Sequence, residues 1–158
     1  MNTIKSNKLV YLALFLFLSY FMSWWGGYII DYFKEPWYST IIKPAFNPPD
    51  WIFAPVWTTL YLMMTFAIWL FWHSKNKDIN TINIYLAQIV INTTWSIVFF
   101  VFHQILFSIF VLILLIILII ILIKKFSKVN LISSYLMIPY LLWCCFALVL
   151  NLSIYLLN

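Results

Sequence analysis

The run Leu106-Phe-Ser-Ile-Phe-Val-Leu-Ile-Leu-Leu-Ile-Ile-Leu-Ile-Ile-Ile-Leu-Ile123 decides the class of this protein. It is almost pure Leu, Ile, Val and Phe, and Lys124, Lys125 and Lys128 close it. About 20 apolar helical residues span a hydrocarbon core, and a helix greasy on every side belongs in lipid. The rest of the chain agrees. Of 158 residues, 66% are hydrophobic, 22% aromatic and 8% charged, where a soluble domain has about a quarter charged. So few polar side chains cannot cover a water-exposed surface, whereas lipid demands no such cover.

Four further spans flank this run. The first covers about Leu9 to Ile30 and follows Lys5 and Lys8. It is too long for a signal-peptide core, and Trp24-Trp25 stand where small cleavage-site residues belong, so it reads as a retained helix. The others cover about Trp51–Trp72, Thr81–Phe102 and Leu131–Leu157. Pro139 lies inside the last, where neighbouring groups can satisfy a kink. Asp50 is the expected N-cap of the second span, with Pro55 in its first turns. The expected fold is all-α: a five-transmembrane-helix bundle, forming a single domain over residues 1–158, with a long structured loop between helices 1 and 2.

Charge supplies an orientation. All nine basic residues are lysine. Seven (Lys5, Lys8, Lys75, Lys77, Lys124, Lys125, Lys128) fall on the side of the N-terminus, and two (Lys34, Lys43) on the other. The positive-inside rule then places the N-terminus in the cytoplasm and the long loop and C-terminus outside, in a bacterial cell membrane. The absence of arginine argues against nucleic-acid binding.

Chemistry is conspicuous by omission. Asp31 and Asp50 flank the long loop and Asp78 lies in the next one, so no acid is expected within a span. The sequence has no metal-ligand spacing, phosphate loop or catalytic triad, and implies no cofactor. His73 and His103 read as solvated residues at helix ends, and Cys144-Cys145 as small buried apolar residues.

The informative stretch is Pro36 to Tyr61, PWYSTIIKPAFNPPDWIFAPVWTTLY. Its prolines restrict the path of the loop, and a short amphipathic turn fits Trp37 to Ile42. Trp57, Tyr61 and Met64 then share a helix face. On the third span, Gln88, Asn92, Trp95, Ser96 and Phe99 recur at helical spacing; on the fifth, Trp143, Ala147 and Asn151 do. Amides in lipid need partners, so these faces point inward, either as glue between helices or as anchors of a pocket. Aromatic walls with few polar anchors suit a flat hydrophobic ligand.

These residues carry a resemblance. Trp37-Tyr38, Lys43-Pro44, Pro48-Pro49 and Phe53-x-Pro55-Val56-Trp57-x-x-Leu60-Tyr61 resemble the signature of the tryptophan-rich sensory protein/translocator protein family, TspO/MBR, which includes the peripheral benzodiazepine receptor. Asn92-x-x-Trp95-Ser96-x-x-Phe99-Phe100 and Pro139-Tyr140-Leu141-x-Trp143-x-x-Phe146-Ala147-x-x-Leu150-Asn151 continue it in order. The resemblance implies a membrane receptor or transporter that binds tetrapyrroles, notably protoporphyrin IX, and other hydrophobic ligands under a loop-1 lid. It places Trp57, Tyr61, Asn92, Trp95, Ser96, Trp143 and Ala147 in the pocket and Tyr38 in the lid. Two alternatives stay open: light-dependent porphyrin degradation, in which Trp57 and Trp143 would matter, and a structural or regulatory membrane protein. Helix 4 is expected to add no polar anchor. The C-terminus lacks the basic residue of the sterol-recognition pattern after Tyr155, and homodimerisation is left open, since Gly26 and Gly27 form no GxxxG motif.

The lysine asymmetry makes a direct prediction. A reporter enzyme active only outside the cytoplasm, fused after Asn158, should be active; a cytoplasmic reporter there should be silent.

Overall fold

The computed structural model describes the backbone of residues 2–158 and the side chains of 8–158; the side chain of Lys5 lies outside the described residues. Among the described residues seven α-helices follow in order: α1 Asn2–Phe33, α2 Trp37–Thr40, α3 Phe53–Trp72, α4 Ile79–Ser96, α5 Ile105–Ser127, α6 Leu131–Leu136 and α7 Ile138–Leu157. They supply five segments long and apolar enough to cross a membrane: Lys8–Phe33, Asp50–Trp72, Ile79–Val101, Ile105–Ser127 and Leu131–Leu157. The bundle is a ring in which α1 packs on α3 and α4, α4 on α5, α5 on α6 and α7, and α6 on α3.

Local chemistry explains the element ends. α1 stops just before Pro36, because a residue preceding proline is disfavoured in the helical region. It runs one turn beyond the expected span, so Asp31 is helical and not in the loop. Asp50 is not the N-cap of the second span. A 3-10 turn, Asp50–Ile52, leads into α3 without any side-chain cap, and the Asp50 carboxylate pairs with Lys34 instead. The carboxylate that does cap a helix is Asp78, which accepts bonds from Thr81 N–H at 2.8 Å and Thr81 Oγ1 at 2.6 Å. Those bonds hold its pKa below the usual carboxylate value.

α4 passes into one π turn, Ile97–Val101. His103 follows at φ 55°, reversing the chain into α5. The expected kink at Pro139 is a full break. α6 ends at Leu136, Met137 separates the helices, and Pro139 sits in the first turn of α7, where its missing N–H costs nothing. Of the two cysteines only Cys144 is buried; Cys145 is exposed on the outside of the bundle. His103 is exposed, as expected, whereas His73 is half-buried. His73 Nδ1 lies 2.8 Å from the Trp69 carbonyl, and the exposed His103 ring stacks on Trp37, with centroids 4.3 Å apart.

The larger of two buried apolar clusters lies mainly at the end of the bundle away from the long loop, and the smaller, Tyr38, Phe99, Phe100 and Ile154, lies beside the loop. Leu112, Leu115, Ile119, Leu122 and Phe126 of α5 are buried at alternating spacings of three and four, and they meet Met64, Ile68 and Phe71 of α3. Four side-chain pairs bonded through oxygen or nitrogen atoms link the helices across the bundle, beside a longer contact of Gln88 with the Met64 sulfur. Ser19 and Tyr85 join α1 to α4 at 3.3 Å. Asn92 Nδ2 donates to Tyr61 Oη at 2.8 Å, joining α4 to α3. Tyr140 Oη donates to Gln88 Oε1 at 3.0 Å, joining α7 to α4. Asn151 Nδ2 donates to Ser108 Oγ at 2.6 Å, joining α7 to α5. Ser108 therefore corrects the expectation that helix 4 contributes no polar anchor: a small hydroxyl within an apolar run is enough to hold an amide.

Removing one partner leaves the other stranded in a dry interior. Tyr140→Phe should cost about 1 kcal/mol, in the range of polar contacts between membrane helices. The thermal midpoint in detergent should fall, while Tyr155→Phe, at an exposed position, should leave it unchanged.

Candidate functional site

Toward the long loop the helices diverge, and two adjoining cavities open between them. The outer one, of about 250 Å³, is walled by α1, the loop, α3, the π turn and α7. The inner one, of about 200 Å³, lies among α1, α3 and α4. Ile30, Trp57 and Trp95 line both and form the partition.

All eight residues expected at the pocket line these spaces. Tyr38, Trp57, Trp95, Trp143 and Ala147 face the outer cavity. Trp57, Tyr61, Asn92, Trp95 and Ser96 face the inner one. Spacing of four puts Trp57 with Tyr61 on one face of α3 and Trp143 with Ala147 on one face of α7, and the packing of those helices brings the two tryptophans together. Their ring centroids are 6.5 Å apart and nearly perpendicular, at 86°. Trp57 also meets Tyr61 at 5.7 Å and Tyr140 at 6.2 Å. Phe53 and Phe146 pack on Trp143 at 5.9 and 5.6 Å. Trp95 stacks on Phe99 at 5.7 Å. Such mixed edge and face packing stiffens an aromatic wall.

Polar groups in these walls are sparse. Tyr61 accepts from Asn92 and so keeps its own hydroxyl proton to donate. The Nε1–H of Trp95 is buried without a partner. A buried donor left unpaired is costly, and an acceptor placed in the cavity would satisfy it. Gln88 is not in either lining, being spent on Tyr140 and Met64. Among the described residues no group of acidic, His or Cys side chains could hold a metal.

Several lining residues escaped the sequence reading. Gly26 and Gly27 border the inner cavity. A Cβ on Gly26 would come no nearer than 3.9 Å to Ser96 Oγ, and one on Gly27 would meet nothing within 4 Å. Both glycines thus leave space that a methyl group would fill. Asp31, Lys34 and Asp50 line the outer cavity and are its charged lining residues. Their roles depend on how the loop folds back, which no helical periodicity encodes.

The loop closes the outer cavity. Trp37–Thr40 forms the expected short turn, and Tyr38 is buried against Phe99 and Phe100, at 6.3 and 5.6 Å. Its hydroxyl donates to Asn47 Oδ1 at 3.4 Å, and the Lys43 ammonium sits 4.4 Å from its ring centroid. Burial, offset in part by the Asn47 bond, raises the Tyr38 pKa, so the phenol is neutral near pH 7. Farther along, Asn158 clasps the loop. Its Oδ1 accepts from Ile42 N–H at 2.9 Å, and its Nδ2 donates to the Ile42 carbonyl at 3.0 Å. Asn158→Ala should release this clasp. Hydrogen exchange at the Ile42 amide should accelerate, while exchange in α5 stays unchanged.

Comparison with known proteins places this architecture. The TspO/MBR family profile matches residues 12–157. The tryptophan-rich protein TspO of Archaeoglobus fulgidus is 35% identical over 137 residues, covering 84% of this chain and 87% of that protein. The protein of the same name from Chlorobaculum tepidum is 33% identical over 129 residues, or 77% and 78% of the two chains. The human translocator protein is 28% identical over 123 residues, or 75% and 73%. A multi-pass helical bundle with this aromatic, loop-covered cavity, matched over nearly its whole length, belongs to the TspO/MBR family.

Proposed function

We propose that this protein is a receptor or transporter for a flat, conjugated hydrophobic ligand, and that the ligand class is the tetrapyrroles, with protoporphyrin IX as its representative. The observation that carries the reading is the convergence of Tyr38, Trp57, Trp95 and Trp143 on one loop-covered cavity. These rings offer faces and edges at about the separations at which aromatic groups attract. Few polar groups interrupt them, so an apolar macrocycle entering from lipid has little polar surface to desolvate.

Size supports a two-chamber site. Each cavity is smaller than the roughly 300–1,000 Å³ of sites for drug-sized ligands. Only Ile30, Trp57 and Trp95 divide them, and side chains can rotate. A macrocycle in the outer chamber would press on this partition and bring an acceptor within reach of the unpaired Trp95 N–H. The inner chamber would take the smaller substituents. Orientation belongs to the same reading: Lys8, Lys75, Lys77, Lys124, Lys125 and Lys128 cluster at the end opposite the loop, which supports a cytoplasmic N-terminus and a cavity mouth on the outer side.

Two measurements on purified protein test the reading together. Protoporphyrin IX should quench tryptophan fluorescence saturably and raise the thermal midpoint, since a ligand that binds only the folded state stabilises it. In the Trp57→Ala, Trp143→Ala double variant the affinity should fall by about tenfold or more, as for the loss of central aromatic anchors. Unchanged affinity in that variant would remove the cavity from consideration.

A further inference from the structure

Lys34 is the one basic side chain lining either cavity among the described residues. Its N–H bonds to the Ile30 carbonyl at 2.9 Å, so it extends the last turn of α1 and lies over the outer mouth. Its ammonium pairs with Asp50 at the entry to α3. The two partners are unequally placed. The Lys34 side chain is 20% exposed and the Asp50 side chain 65%. Both line the outer cavity, and the Lys34 ammonium, 5.3 Å from the Tyr38 ring centroid, is the more shielded partner.

That asymmetry has a chemical consequence. A largely shielded ammonium needs an anionic partner, because leaving it unpaired forfeits its hydration without return. A mostly exposed carboxylate has no such need, since water solvates it fully once it lets go. The bond between them is of the weak, solvent-accessible kind. An anion arriving from the cavity side can therefore take the place of Asp50 at small cost. The other charges at the mouth set the limit. Asp31, one turn earlier on α1, also lines the cavity, and Glu35 is exposed beside Lys34. Lys43 lies against the same Tyr38 ring as Lys34, at 4.4 Å, but does not line the cavity. One ammonium has room for one carboxylate, and the neighbouring acids repel a second.

We propose that Lys34 is an anion subsite of the cavity, filled by Asp50 in the unliganded protein, which accepts a single carboxylate from the edge of an amphipathic ligand. This rests on the cavity being the ligand site and adds what the ligand carries at its rim.

The test compares protoporphyrin IX, which carries two carboxylic acids, with its uncharged dimethyl ester, measured on the full-length wild type, Lys34→Met and Asp50→Asn. Asp50→Asn should tighten binding of the acid up to about fivefold, the scale of an exposed ion pair, and leave the ester unchanged. Lys34→Met should weaken the acid and leave the ester unchanged. A parallel shift of both ligands in either variant would mean that the pair only holds the mouth together, and would overturn the subsite while leaving the cavity intact. Failure of the wild type to bind either compound would overturn the cavity reading, and the subsite with it.

Discussion

Within a bilayer no water is available to a buried polar side chain, so it is costly to leave one without a partner inside the protein; among the described residues Trp95 Nε1 and Ser133 Oγ are the buried exceptions. That constraint organises this bundle. Ser19 with Tyr85, Asn92 with Tyr61, Gln88 with Tyr140 and Asn151 with Ser108 each join two different helices. Lipid offers little hydrophobic reward for bringing helices together, so packing and these few bonds set their positions. Three of the four pairs involve α4 and two involve α7. Those helices, with α3, carry Trp57, Trp95 and Trp143. The same amides that register the helices thereby aim the tryptophans.

The long loop meets a related constraint at the membrane surface. Its backbone groups cannot all pair with one another, and side chains from distant parts of the chain complete them. Asn158 supplies both a donor and an acceptor to Ile42, across 116 residues of sequence. Tyr38 fills the space above Phe99 and Phe100 with its hydroxyl held by Asn47. The result is a cover tied at α7 and at the ends of α1 and α3, over a cavity whose walls are apolar. Charge appears only at the rim, where solvent begins.

Much of this was legible from residue order. Five apolar runs marked the spans, and the spacing of Trp57 and Tyr61, of Asn92, Trp95 and Ser96, and of Trp143 and Ala147 marked inward faces. Periodicity works here because a helix turns its residues in a fixed order. It fails where chain path decides. Asp50 has the look of an N-cap, yet its carboxylate turns back to Lys34, and only the fold of the loop brings the two together. Asp31 seemed a loop residue because its charge ended the apolar run, but backbone bonding carried α1 past it. Ser108 went unread because a single hydroxyl hardly alters the hydropathy of its surroundings. In the sequence Gly26 and Gly27 show only that a GxxxG motif is missing, whereas their effect in the fold is the space they leave beside the inner cavity.

The central claim is that the helix-registering amides and the loop build one aromatic chamber for a flat ligand. A structure determined with protoporphyrin IX bound tests it most directly. The account predicts the macrocycle in the outer chamber, against Trp57 and Trp143 and beneath Tyr38, with one edge toward Lys34. A macrocycle lying instead on the exposed aromatic face of α1, along Trp24, Tyr28 and Tyr32, with the chamber empty, would contradict it.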